Sequence, residues 1–243
     1  MKSDFNHFRS VGTAGFLVFL AAVAPASASV LFFDFGDGAA ANTSPVPTNN
    51  VTQAQLPVNN ATDSTGSATT ISLATAGFNP GSNSNGTQAP TGDAAIFPVL
   101  STKDNLFGHT QPFNPAPALP KATLTFSGLD ITGSTAYTFD FFASRTGVAD
   151  VRTTLYSVTG LNSGSTILDA ANNVSSIASV TGIIPNASGV ITVDLQAAPS
   201  NTNGTGFYYI GALRLTTAAV PEPSAAAMLG LALLAPLGRR RRN

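Results

Sequence analysis

Cysteine and tryptophan are absent from this chain of 243 residues. Without cysteine no disulfide can staple the fold, and no thiolate can ligate a metal or attack a substrate. Stability therefore has to come from an ordinary apolar core. Charge is scarce as well: Asp, Glu, Lys and Arg make up 9% of the chain, against roughly 25% in ordinary soluble domains. Six of the eleven basic residues (Lys2, Arg9, Arg239, Arg240, Arg241 and Arg242) lie near the two ends, which leaves Lys103, Lys121, Arg145, Arg152 and Arg214 between Ser29 and Ala219. Ten aspartates and no glutamate stand against them. A mildly acidic body without a basic patch argues against nucleic acid as a partner. Histidine is nearly missing too, since His109 is the only one outside the amino-terminal segment. One histidine without cysteine cannot supply the three or four ligands of a zinc site. No nucleophile-elbow motif surrounds it, so a hydrolytic triad has no base, and His109 reads as a solvent-exposed loop residue.

Long helical periods are also lacking between residues 29 and 217. What is present is Gly, Ser, Thr and Asn between short β-branched and aromatic runs. Val30 to Phe35 is a strong strand closed by the turn signal Gly36-Asp37-Gly38. From Ala39 to about Pro90 long loops with short strands are expected, around apolar islands at Val51 to Val58 and Thr70 to Leu73. Four prolines from Pro112 to Pro120 suggest an extended connector. Ala122 to Phe126 alternates in period two, and with the turn at Gly128-Leu129-Asp130 it is expected to form a hairpin with Tyr137 to Phe142. Further runs recur at Val151 to Val158, Ser165 to Leu168, Val174 to Val180 and Val190 to Leu195, and Phe207 to Leu215 closes the series. The expected fold is all-β: a single antiparallel β-sandwich, jelly roll preferred over immunoglobulin-like. Tyr208 and Tyr209 are neighbours on one strand, so one is expected in the core and the other at the surface.

The two ends have a different texture. Lys2 and Arg9 flank an apolar run from Val11 to Val23, and Ala26-Ser27-Ala28 offers small residues before a cut that would leave Ser29 first. This is a secretory signal pattern, and the run falls short of the roughly 20 apolar residues that span a bilayer. At the other end Val220-Pro221-Glu222-Pro223-Ser224 precedes the apolar stretch Ala225 to Leu237, Gly238 and the basic cluster Arg239-Arg240-Arg241-Arg242. Prolines 221 and 223 keep the tripeptide extended and accessible. The arginines are costly to move through lipid and stay on the cytoplasmic side, so the tail acts as a stop-transfer helix. The order expected is a signal peptide at 1–28, an exported sandwich at 29–217 and a sorting tail at 218–243, flanking helices included.

That tail resembles the PEP-CTERM sorting signal of bacterial exported proteins: Pro-Glu-Pro, a short hydrophobic helix and a terminal basic run, all within the last 24 residues or so. The resemblance implies processing by an exosortase after signal peptidase has acted, a transient membrane anchor through the carboxyl-terminal helix, and a producer whose export system often accompanies extracellular polysaccharide. An uncut carboxyl-terminal anchor is the alternative. The strand texture of the body looks like the jelly-roll domains of exported bacterial carbohydrate-binding modules, a likeness of strand order and texture rather than of motif, and it implies that Leu31 to Phe35 lies beside Tyr208 to Leu215.

Chemistry in the body is sparse. Asp34-Phe35-Gly36 matches a kinase tripeptide by chance, because no phosphate loop accompanies it. A paired-carboxylate glycosidase needs one buried acid and a facing partner. Most of the aspartates instead sit in turns, such as Asp37, Asp63 and Asp93. Calcium suits Asp- and Asn-rich loops better, with Asp34, Asp37 and Asp104 as candidate ligands, although the EF-hand spacing is missing and metal-free turn aspartates are the simpler account. No other cofactor is expected. The reading that follows is a non-catalytic cell-surface or matrix protein associating with extracellular polysaccharide; the alternative is a secreted glycan-active enzyme with an aspartate pair.

Overall fold

The computed structural model describes residues 28–37, 46–113 and 115–220. The residues before Ala28 and after Val220 lie outside that set. With them go Ala26 of the expected cleavage site, the Pro221-Glu222-Pro223 tripeptide, the basic cluster of Arg239, Arg240, Arg241 and Arg242, and both expected helices. Twelve strands are described: β1 (Val30–Gly36), β2 (Asn49–Thr52), β3 (Ser72–Ala76), β4 (Leu106–His109), β5 (Ala122–Ser127) and β6 (Thr135–Phe142) come first. They are followed by β7 (Thr153–Thr159), β8 (Ser163–Asp169), β9 (Ala178–Ile183), β10 (Ile191–Ala197), β11 (Phe207–Ile210) and β12 (Ala212–Ala219).

The strands build two five-stranded sheets, ordered β2-β1-β12-β6-β9 and β3-β5-β10-β7-β8, with a small β11-β4 pair beside them. All pairs are antiparallel except β1 with β2, which is parallel. The two sheets face each other as a β-sandwich. Period-two alternation points Leu31, Phe33 and Phe35 of β1 inward, together with Phe139 and Phe141 of β6, against Leu124 and Phe126 of β5 and Tyr156 of β7. Phe33 meets Phe126 edge-on at 5.5 Å between ring centroids, and Phe141 stacks on Tyr156 at 4.3 Å. Such contacts hold the sheets together beyond the area they bury. In place of the disulfide that the sequence cannot make, one large aromatic and aliphatic core joins the two sheets and the β4-β11 pair.

The expected neighbours β1 and β12 do pair, in the register Val30 to Thr216 through Asp34 to Ala212. The expected final strand is broken at Gly211, however, into β11, which pairs with β4, and β12, which pairs with β1 and β6. The expected hairpin of β5 with β6 does not form. Ser127 ends in one sheet and Thr135 starts in the other, so the intervening turn crosses between layers. Period two is satisfied equally by either arrangement, because both strands need only one apolar face.

Strand directions define two ends of the sandwich. Residues 128–134, 160–162 and 184–190 turn at the end where the described chain starts and stops. There Ser29 N–H donates to Thr217 Oγ1 at 2.8 Å and Val220 N–H to the Ser134 carbonyl at 2.7 Å. At the opposite end β1 stops, β12 starts, and the longer connections 77–105, 110–121, 143–152 and 170–177 gather.

Candidate functional site

The outer face of the β1-β12-β6 layer is covered rather than open. Residues 87–105, including two short 3-10 turns at Gly92–Ile96 and Val99–Ser101, run across it. Phe97 packs against Phe32 at 6.2 Å and Phe142 at 5.9 Å, forming a second small core with Ala94 and Ala212. Buried polar bonds pin this cover. Asn105 donates from Nδ2 to the Ser144 carbonyl at 2.7 Å, Thr102 Oγ1 donates to the Thr87 carbonyl at 2.8 Å, and Thr87 N–H donates to Ser144 Oγ at 3.0 Å, which in turn donates to the Asn173 carbonyl at 2.7 Å.

At the end of this cover Asp104 lies directly on Gly36. A Cβ on Gly36 would stand 2.4 Å from Asp104 Cγ, far inside contact distance, so only glycine leaves room for the carboxylate. Asp37 N–H donates to Asp104 Oδ2 at 2.7 Å. Asp104 is 2% exposed, and its Oδ1 is buried without a hydrogen-bond partner. Asp34 leaves β1 on the same outer face as Gly36, two residues earlier. Its carboxyl is pushed up to about 7, first by burial and then by the Asp104 carboxylate, while Lys103 and the Ser101 hydroxyl pull the other way. Asp104 is raised too, mainly by burial, against the Asp37 N–H and Lys103. The fold thus gathers the three aspartates that the sequence singled out. Asp34 and Asp104 interact through their carboxylates, and Asp37 joins chiefly through its backbone. Among the described residues, no group of three or more His, Cys, Asp or Glu side chains is arranged to hold a metal ion. What sequence reasoning missed is Gly36, read as part of a turn, which is the strand residue that seats Asp104.

His109 is the clearest departure from expectation. It is fully buried on β4 rather than exposed in a loop. Its Nδ1 lies 2.7 Å from the Gln111 carbonyl and its Nε2 3.3 Å from Asn79 Nδ2, an arrangement that the Nδ1–H tautomer satisfies at both nitrogens. Phe107, Phe113 and Phe207 surround the ring. With both nitrogens used and no solvent access, it is a structural histidine. Tyr208 and Tyr209 are also both buried, at 0% and 1% exposure. Tyr208 lies across Gly108 and donates to the Leu119 carbonyl at 2.8 Å, because the proline-rich connector folds back over it; Tyr209 receives a hydrogen bond from Arg152 Nη1 at 2.6 Å.

Two shallow depressions of about 330 Å³ each lie among the connections at the end opposite the termini. One is mixed in character and lined by Leu168, Asp169 and residues 171–176. The other is largely apolar, walled by Phe78, Pro80, Pro115, Pro117, Leu119 and the 44% exposed Phe113. Neither includes the Asp34–Asp104 pair. With Asp104 2% exposed, a sugar ring cannot reach between those carboxylates, so the geometry of a glycosidase pair is not met there.

No family model matches this chain, and no curated protein matches it. Among solved structures, the carbohydrate-binding module TmCBM61 in complex with β-1,4-galactotriose aligns at 14% identity and a TM-score of 0.26, covering 62% of this chain and 82% of that one. A superposition this loose carries no inference about what this chain binds.

Proposed function

We propose that this chain is a non-catalytic exported surface protein, delivered through its amino-terminal signal and a PEP-CTERM-type tail, that presents its β-sandwich to extracellular polysaccharide. The observation that carries the reading is where the sandwich stops. β12 ends at Ala219, Val220 is still tied to Ser134, and the Pro221-Glu222-Pro223 tripeptide follows at once. A folded body followed directly by a proline-bearing tripeptide in the sequence offers a processing enzyme its target close to the end of β12, with little chain between. Ser29 lies at the same end, bonded to Thr217, so the segments bearing both targeting signals join the body at one side. The other end, with the exposed Phe113 and its prolines, is left to face outward, where an apolar shelf suits the C–H face of a sugar ring. The changes of sheet from β5 to β6 to β7, and from β8 to β9 to β10, support the jelly-roll reading of the body.

Glu222→Ala tests the proposal. The glutamate is the only charge between Arg214 and Arg239, which makes it the natural handle for a protease. The variant is expected to be translocated but to collect in the membrane fraction at the size of the tailed form, while the parent is shortened by about 20 residues, as the tail pattern implies. Equal size and equal fractionation of parent and variant would refute the sorting reading and leave an uncut anchor.

A further inference from the structure

We propose that Asp104 and Asp34 form a calcium site that locks residues 87–105 onto the outer face of β1. The observation is a buried carboxylate oxygen with nothing to accept from: Asp104 is 2% exposed, and Oδ1 has no donor within reach. A buried charge without partners is expensive, and a carboxylate that keeps one oxygen bare while its other oxygen takes a backbone N–H is poised for a cation. The second carboxylate, Asp34, sits beside it on the same face of β1, where two like charges destabilise each other unless a cation stands between them. The Ser101 hydroxyl lies next to Asp34, and the groups that act on the two carboxylates include no histidine or cysteine. That set selects a hard cation. Calcium accepts irregular shells completed by water at two carboxylates, whereas magnesium demands a near-ideal octahedron and gives up its water reluctantly.

Among the described residues, Lys103 is the cation that acts on both carboxylates. It cannot replace a metal ion by satisfying Oδ1, since that atom has no hydrogen-bond partner. Few protein ligands and a competing lysine place the site in the weak range of extracellular calcium modules, with dissociation constants of roughly 10⁻⁴ to 10⁻³ M. This inference stands on the geometry of the Asp104 seat and does not rest on the sorting tail.

The test uses the full chain, stripped with chelator and titrated with CaCl₂ in equilibrium dialysis, followed by thermal unfolding and hydrogen exchange. One saturable calcium per chain is expected, and at a hundred times the dissociation constant the folding equilibrium should rise by about a hundredfold. Exchange of the Asp37 amide, whose N–H is held by Asp104, should slow with calcium and respond much less to equal magnesium. Asp104→Asn and Asp34→Asn should each abolish saturable binding. If either variant fails to fold, the calcium-dependent protection of Asp37 in the parent still decides the matter. Absence of saturable binding in the stripped parent would overturn the proposal and leave the pair sharing a proton. Binding that persists in both variants, or that leaves Asp37 exchange unchanged, would overturn it by placing the ion elsewhere.

Discussion

Gly36→Ala probes the seat of Asp104 by the smallest possible perturbation, one methyl group. Two effects oppose each other. An alanine in an extended strand restricts the unfolded chain and would stabilise by about 0.4–1 kcal/mol if the site were open. Against this, the new Cβ would stand 2.4 Å from Asp104 Cγ and 2.5 Å from Oδ2. The carboxylate has to move, yet it is 2% exposed and tied to Asp37 N–H. Overpacking of this kind costs about 1–3 kcal/mol, and disrupting a hydrogen bond to a charged group adds about 1.5–3 kcal/mol where it is lost outright. The steric effect wins, and a net loss of about 2–4 kcal/mol is expected. Asp104→Ala by itself should be milder, because Asp37 is exposed and its N–H can turn to water. The double variant places the methyl group in space vacated by the carboxylate, so its loss should fall short of the sum by about 1–3 kcal/mol. The assay is urea unfolding in chelator followed by far-ultraviolet circular dichroism, since the chain has no tryptophan to report by fluorescence. Equal m-values would confirm that the folded states are being compared. Gly204→Ala is the control, as nothing lies within 4 Å of a Cβ there and its φ is ordinary. Additivity within about 0.5 kcal/mol would refute the reasoning, because it would mean that the carboxylate steps aside at no cost.

Two further outcomes follow from single contacts. Tyr156→Phe keeps the stack on Phe141 but removes the bond from the Tyr156 hydroxyl to the Tyr209 carbonyl at 2.7 Å, leaving a buried carbonyl unpaired; urea unfolding should show a loss of about 1–3 kcal/mol, and no loss would mean that the carbonyl finds another donor. Asp130 takes hydrogen bonds from Thr132 N–H, Thr132 Oγ1 and Ser134 Oγ, which hold its carboxyl well below the ordinary value of 3.8. The stabilisation from that depressed value is present above the unfolded value and is lost as pH falls through the folded one. Thermal unfolding of parent and Asp130→Asn should therefore differ most near neutral pH and converge below about pH 4, and a gap that stays constant with pH would contradict this.

The position and type of most strands could be read from the sequence, because each one carries its own period-two pattern between Gly, Asn and Pro. The pairing of Leu31 to Phe35 with the last strand came from the jelly-roll resemblance rather than from any local pattern, whereas the absence of a long helix among the described residues of the body was legible from periodicity. The three acidic candidates were chosen from composition alone, and the fold gathers them because Asp34 and Asp37 bracket the end of β1 where Asp104 lands. Tertiary structure alone decided what depends on partners distant in the chain. The turn after β5 crosses to the other sheet, since a local pattern specifies one buried face but not which strand will cover it. Tyr208 and His109 are buried because the 110–121 connector folds back, with Leu119 bonded to His109 in both directions, and nothing in Gly-His-Thr announces that cover. The Asp104 seat needs Gly36, a residue far earlier in the chain that looked like a turn former. Only the close approach of the Asp104 side chain to the β1 backbone, which no local periodicity encodes, makes that glycine the seat of the carboxylate.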